Sequence, residues 1–152
     1  MDWMLLPFRR YAEFTGRSRR KEYWMFVLFN AIVFAVLSLL VFGVLGAEAS
    51  MDGLDPANPM GIYGGLLSGA GLILVLYWLV VLIPSIAVGV RRLHDRNMSG
   101  WWYLGFVVLS FIPIIGFVAS IALLVIMVLP GTVGPNRFGP DPKGGADPEV
   151  FA

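Results

Sequence analysis

The chain has 152 residues, of which 58% are hydrophobic and only 14% charged, where a soluble domain carries about 25% charged residues. That composition belongs to membrane proteins, and a formal net charge of +1 argues against a general attraction to nucleic acid. No cysteine is present and there is one histidine, which excludes disulfides, thiolate zinc sites, a cysteine nucleophile and a self-contained His-rich metal centre, so no metal or cofactor is expected.

The first 22 residues form a basic segment. Trp3, Leu5, Leu6 and Phe8 stand among Arg9, Arg10, Arg17, Arg19, Arg20 and Lys21, a mixture that suits the membrane surface, with apolar groups in the interface and cations at anionic headgroups. The simpler alternative is that these cations only fix orientation.

No Asp, Glu, Lys or Arg lies between Glu22 and Glu48, between Asp55 and Arg91, or between Arg96 and Arg137. The first uncharged run, Tyr23 to Gly46, is long enough as a helix to cover the roughly 30 Å hydrocarbon core. It is too long for the apolar region of a signal peptide, which spans about 7 to 15 residues. The connection that follows holds Glu48, Asp52 and Asp55 but no Lys or Arg, and Pro56, Pro59 and Gly61 break any helix there.

The second run, Ile62 to Val90, predicts a span over about residues 66–90, with Pro84 as a tolerated kink. Gly61, Gly65 and Gly69 repeat at GxxxG spacing, which permits close helix packing within the chain or between copies. After it comes "VRRLHDRNMSGWW", with Arg91, Arg92 and Arg96. Basic residues there and at the N-terminus, against an acidic intervening loop, predict both basic segments on the cytoplasmic side.

The third run, Trp101 to Leu129, is interrupted by Pro113 and Gly116. As one helix it would be about 43 Å long, so it is either a single kinked span or two short helices in a re-entrant hairpin. Residues 130–152 are rich in Pro and Gly and predict turns and flexible chain, disordered from about Gly144. The expected fold is therefore all-α and polytopic: a basic N-terminal segment (1–22), a transmembrane domain (23–129, with spans near 23–46, 66–90 and 101–129) and a tail (130–152).

Residues with chemical potential are few. His94 and Asp95 are adjacent, so on a helix their side chains diverge by about 100° and cannot form an oriented catalytic dyad. Pairing with nearby arginines or the tail is the simpler role for both, although an imidazole with a near-neutral pKa can also sense protons. Arg91 and Arg92 have the donors to recognise a phosphate, yet their position favours ordinary positive-inside residues. Trp101, Trp102 and Tyr103, with Tyr23 and Trp24, form aromatic belts. Asn30 is placed to bond a neighbouring helix, and the runs contain no ionisable residue of the kind ion-coupled transporters use.

The segments "FTGRSRRKEYWMFVLFN", "RRLHDRNMSGWW", "IPIIG" and "PGTVGPNRFGPDP" occur together and in order, and the chain on this account resembles the DUF805 family of small bacterial inner-membrane proteins. Gly16, Arg17, Arg20, Glu22, Tyr23 and Trp24, then Arg91 to Asp95, then Gly131, Asn136, Arg137, Phe138 and Gly139 match its characteristic positions. The resemblance implies a polytopic membrane protein of undefined role and brings no catalytic residue with it.

If the third run is a hairpin, Arg17, Arg20, Glu22, Arg91, Arg92, His94, Asp95 and Arg137 converge at the cytoplasmic face as a polar network. Glu22 and Asp95 would pair with Arg17, Arg92 or Arg137, as a structural clasp more readily than as a binding site. The function expected is a non-enzymatic scaffold or accessory protein that binds lipid headgroups or a protein partner. The alternative is an oligomeric transport or channel component, and the expected partners are membrane lipids, with a protein partner or a homo-oligomer possible.

Overall fold

The computed structural model describes residues 2–52 and 69–144. Among these the structure is helical: α1 (Asp2–Arg9), α2 (Arg20–Asp52), α3 (Gly69–Asp95), α4 (Trp101–Leu109) and α5 (Ile115–Val128), with one isolated β-bridge between Asn136 and Gly139. Stretches Arg20–Val44 of α2 and Gly71–Asp95 of α3 are each long and apolar enough to cross a membrane, and α5 is a shorter apolar helix. Gly61 and Gly65 lie outside the described residues, and Gly69 is the first residue of α3.

Two units are distinguished. One runs Val27–Leu82, and the other holds the described residues up to Phe26 and from Ile83 onward. Within the first, the Tyr77 hydroxyl donates to Asn30 Oδ1 at 2.7 Å and ties α2 to α3. An interhelical hydrogen bond in a membrane contributes about 0.6 kcal/mol and at most about 1.7. Tyr77→Phe is expected to lower stability within that range, read from thermal unfolding of the detergent-solubilised protein. The outward faces of both helices are apolar, with Leu39 76% exposed, an arrangement suited to lipid.

The second unit carries the polar residues. α3 continues through Arg91–Asp95, past the boundary that the hydropathy pattern suggests, because these residues are buried and paired. It ends in a Schellman turn. Met98 N–H donates to Leu93 O at 3.0 Å and Asn97 N–H to His94 O at 2.9 Å, with Asn97 at φ +59°, the left-handed conformation that asparagine tolerates at this position.

The third apolar run is a hairpin. α4 and α5 have about 9 and 14 residues, near 13 and 21 Å at 1.5 Å per residue, so neither covers the hydrocarbon core. Pro113 cannot continue α4, because its ring lacks an N–H and clashes with the preceding turn. Ile114 then takes φ +66°, ψ −55°, and Ile115 N–H donates to Pro113 O at 2.7 Å. This is a γ-turn of the rare positive-φ form, strained for a β-branched residue. Gly116 completes the reversal, since a Cβ there would lie 2.5 Å from the Ser110 carbonyl oxygen. Ile114→Gly is expected to stabilise the protein by about 1 kcal/mol by relieving the strained φ, seen as a rise in Tm. A fall in Tm would contradict the γ-turn.

Candidate functional site

The hairpin returns the chain to the end of α3. There the N-terminal loop, the start of α2, the last turn of α3 and the tail close around a buried set of charges. Arg91 and Arg92 are 0% exposed, and Arg17, Glu22 and Asp95 are also buried.

Asp95 is the centre. Its Oδ1 accepts from Arg17 Nε at 3.0 Å and lies 2.9 Å from Arg17 Nη2, while Oδ2 pairs with Arg92 Nη1. Its main-chain oxygen accepts from Thr132 N–H at 2.8 Å and from the Thr132 hydroxyl at 3.1 Å. Gly131, the neighbour of Thr132, therefore passes directly over the carboxylate. A Cβ at Gly131 would overlap Asp95, with Cγ only 2.5 Å away.

Arg17 extends the same network into the tail, donating from Nη2 to Thr132 O and from Nη1 to Gly134 O, each at 2.6 Å. Arg91 serves the N-terminal side. Its Nη2 meets Glu22 Oε1 at 3.2 Å, its Nη1 donates to Arg10 O at 3.3 Å and to Glu13 O, and its carbonyl accepts from Ser18 N–H at 3.1 Å. Each nitrogen of Arg17, Arg91 and Arg92 except Arg91 Nε thus has an oxygen partner. Two carboxylates face three guanidinium groups, and main-chain carbonyls supply the remaining acceptors that burial of a cation demands.

Some of those carbonyls are the orphans of a helix end. The last turn of α5 has unsatisfied C=O groups and the negative end of the helix dipole. Arg92 donates to Met127 O at 3.2 Å and to Leu129 O, Arg20 to Val128 O at 3.2 Å, and Arg96 to Pro130 O at 2.5 Å. Arg92 and Arg20 cap the returning helix, and Arg96 holds the carbonyl just past its C-cap.

Among the residues singled out from sequence, Arg17, Glu22, Arg91, Arg92 and Asp95 come together. Arg20 stands outside the core of the cluster as a helix cap. Arg137 pairs with neither carboxylate: it is exposed, donates to Asn97 O at 3.0 Å, and lies over the Phe138 ring at 4.7 Å. Arg91 and Arg92 are not open phosphate ligands, because both are fully buried and every side-chain nitrogen of the two except Arg91 Nε is held by the chain. Glu22 pairs with Arg91, a partner that residue types at the membrane edge alone do not select.

His94 pairs with no arginine. Its Nδ1 lies 3.1 Å from Gly16 O, and its ring stacks on Phe138 with centroids 3.9 Å apart and planes 5° from parallel. Its main-chain oxygen accepts from Asn136 Nδ2 at 3.0 Å. The described part of the tail is accordingly docked, where composition predicts flexible chain. Its turns are fixed by the Phe138 N–H to Asn136 Oδ1 bond at 2.9 Å and by the Asn136–Gly139 bridge, and Asp141 accepts from Gly134 N–H at 3.1 Å. The Lys143 N–H holds the Asp141 carboxyl below its usual pKa. The expected disorder beyond Gly144 concerns residues outside those described.

Cations also face outward. Arg10 pairs with Glu13, whose carboxyl it holds below the usual pKa, though exposed pairs contribute little to stability. Arg19 and Lys21 lie over the Trp3 ring at 5.6 and 5.7 Å, and Arg9 is exposed.

Sequence comparison adds to this geometry. A family model described as "Protein of unknown function (DUF805)" matches residues 11–140. The chain is 41% identical over 143 residues to inner membrane protein YhaH of Escherichia coli strain K12, covering 94% of this chain and 98% of that one. It is 38% identical over 147 residues to inner membrane protein YhaI of the same strain, covering 97% and 100%. No solved structure matches the chain.

Proposed function

Because the chain belongs to the DUF805 family and is a membrane protein, we propose that it is a non-enzymatic, multi-pass accessory protein of the inner membrane, which engages anionic lipid headgroups at a cytoplasmic N-terminal face. The observation that carries this is the division of its cations. Arg17, Arg91 and Arg92 are buried and spent on Asp95, Glu22 and carbonyls, which makes them a clasp with no donor set open to a substrate. Arg9, Lys21 and Arg137 are exposed on the elements that the clasp holds together, and Trp3 beside Lys21 suits the headgroup level. The positive-inside rule supports the cytoplasmic orientation, since the acidic connection lies between the two basic segments.

Reconstitution tests this. Spin-labelled phosphatidylglycerol is expected to associate with the protein more strongly than spin-labelled phosphatidylcholine, since each basic residue near an anionic surface contributes about 1 kcal/mol. Combining Arg9→Gln, Lys21→Gln and Arg137→Gln should remove most of that preference. Equal association of the two lipids with the unaltered protein would overturn the proposal.

A further inference from the structure

Beside the clasp is an apolar groove of about 550 Å³, between the end of α3 and the start of α4, with Phe14 of the N-terminal loop at one edge. Ile86, Val90, Leu104 and Val107 supply its walls. Tyr103 is drawn against α3 because Gly89 has no side chain: a Cβ there would lie 2.5 Å from the ring. The groove opens on surfaces that are themselves apolar and exposed, including Trp101 and Leu104.

His94 brings a ring nitrogen to this space. A carbonyl oxygen only accepts, so His94 Nδ1, 3.1 Å from Gly16 O, carries the hydrogen and the neutral ring presents Nε2 as an acceptor. Nε2 has no hydrogen bond among the described residues, although His94 is only 9% exposed. Gly100 leaves it uncovered: a Cβ there would stand 3.3 Å from Nε2 and 2.6 Å from Val90. An acceptor on a ring that lines the groove can take a donor from a molecule seated there. A positive charge stands nearby: the exposed Arg137 lies over the Phe138 ring at 4.7 Å, and that ring stacks on His94 at 3.9 Å.

We propose that this groove binds one phosphatidylglycerol molecule, with an acyl chain along Ile86, Leu104 and Val107, its phosphate at Arg137, and a headgroup hydroxyl donating to His94 Nε2. The assignment rests on the lipid-engaging reading above and names the lipid and its seat. Phosphatidylcholine offers no hydrogen-bond donor and no net charge. Phosphatidylethanolamine offers a donor but brings an ammonium toward Arg137.

Native mass spectrometry of the delipidated full chain, with phosphatidylglycerol, phosphatidylethanolamine or phosphatidylcholine added back, tests it. One phosphatidylglycerol is expected to be retained in preference to the other two. Leu104→Trp fills the groove from an exposed helix position and should abolish retention, while Arg137→Gln should weaken it by about tenfold, the loss of one charge-assisted contact. Retention that is indifferent to headgroup, or unchanged in Leu104→Trp, would overturn the groove assignment. If the spin-label preference for phosphatidylglycerol persists in that case, the cationic-face reading stands and only the groove fails. If the preference is also absent, both fail.

Discussion

Asp95→Ala is expected to be the most damaging single substitution in the chain. It removes the carboxylate that answers both Arg17 and Arg92 and leaves two buried guanidinium groups without their counter-charge. Breaking one buried pair costs about 3–5 kcal/mol, and whole-protein stabilities are about 5–15 kcal/mol. The variant should therefore accumulate poorly in membranes and unfold at a much lower temperature in detergent. Arg92→Ala should also be harmful, because it uncaps α5 at Met127 and Leu129 as well. The double variant should cost less than the sum of the two, with a coupling of about 1–3 kcal/mol. Strict additivity, or wild-type stability in Asp95→Ala, would show that the cluster does not hold the fold.

Gly131→Ala should approach the same loss by a steric route. The added methyl would occupy the position of the Asp95 carboxylate, so either the tail lifts, breaking the Thr132 bonds to Asp95 O, or the carboxylate leaves its arginines. Gly105→Ala is the matched control. It lies inside α4 with nothing within 4 Å of the new methyl, and exchanging glycine for alanine in a helix is favourable by about 1 kcal/mol. Thermal unfolding of the pair is expected to move in opposite directions. A shift of the same small size in both would refute the placement of Gly131 over Asp95.

How much of this was legible in the sequence follows from the range of each interaction. The two long helices and the break at Pro113 are written in runs of apolar residues and in the local chemistry of proline, so they are readable without tertiary information. The direction taken after the break is not local. It depends on a γ-turn at Ile114, which no propensity would place on isoleucine, and on arginines from α2 and from the end of α3 meeting the carbonyls of α5. The charged cluster is half legible: residue types and positions at the run ends nominate Arg17, Glu22, Arg91, Arg92 and Asp95. Their full burial, and the pairing of Glu22 with Arg91, required the docked tail to be seen. Composition understates the order of the tail because Pro and Gly suppress regular structure without preventing docking. Gly134, at φ +76°, lets its carbonyl reach Arg17, and Phe138 finds a flat partner in His94. Tyr77 carries no sequence signal, because a hydroxyl in an apolar run is silent until its neighbour, Asn30, is known.

The third apolar segment turns back and returns the tail to the clasp formed with the N-terminal loop. This can be read by fusing a fluorescent protein that matures only in the cytoplasm, or alkaline phosphatase that is active only outside it, after Ala152 and separately before Met1. The same side for both ends is predicted, with fluorescence from both fluorescent-protein fusions and activity from neither phosphatase fusion. Phosphatase activity at the C-terminal end together with fluorescence at the N-terminal end would mean a third complete crossing, and Arg17 could then not reach Thr132 and Gly134.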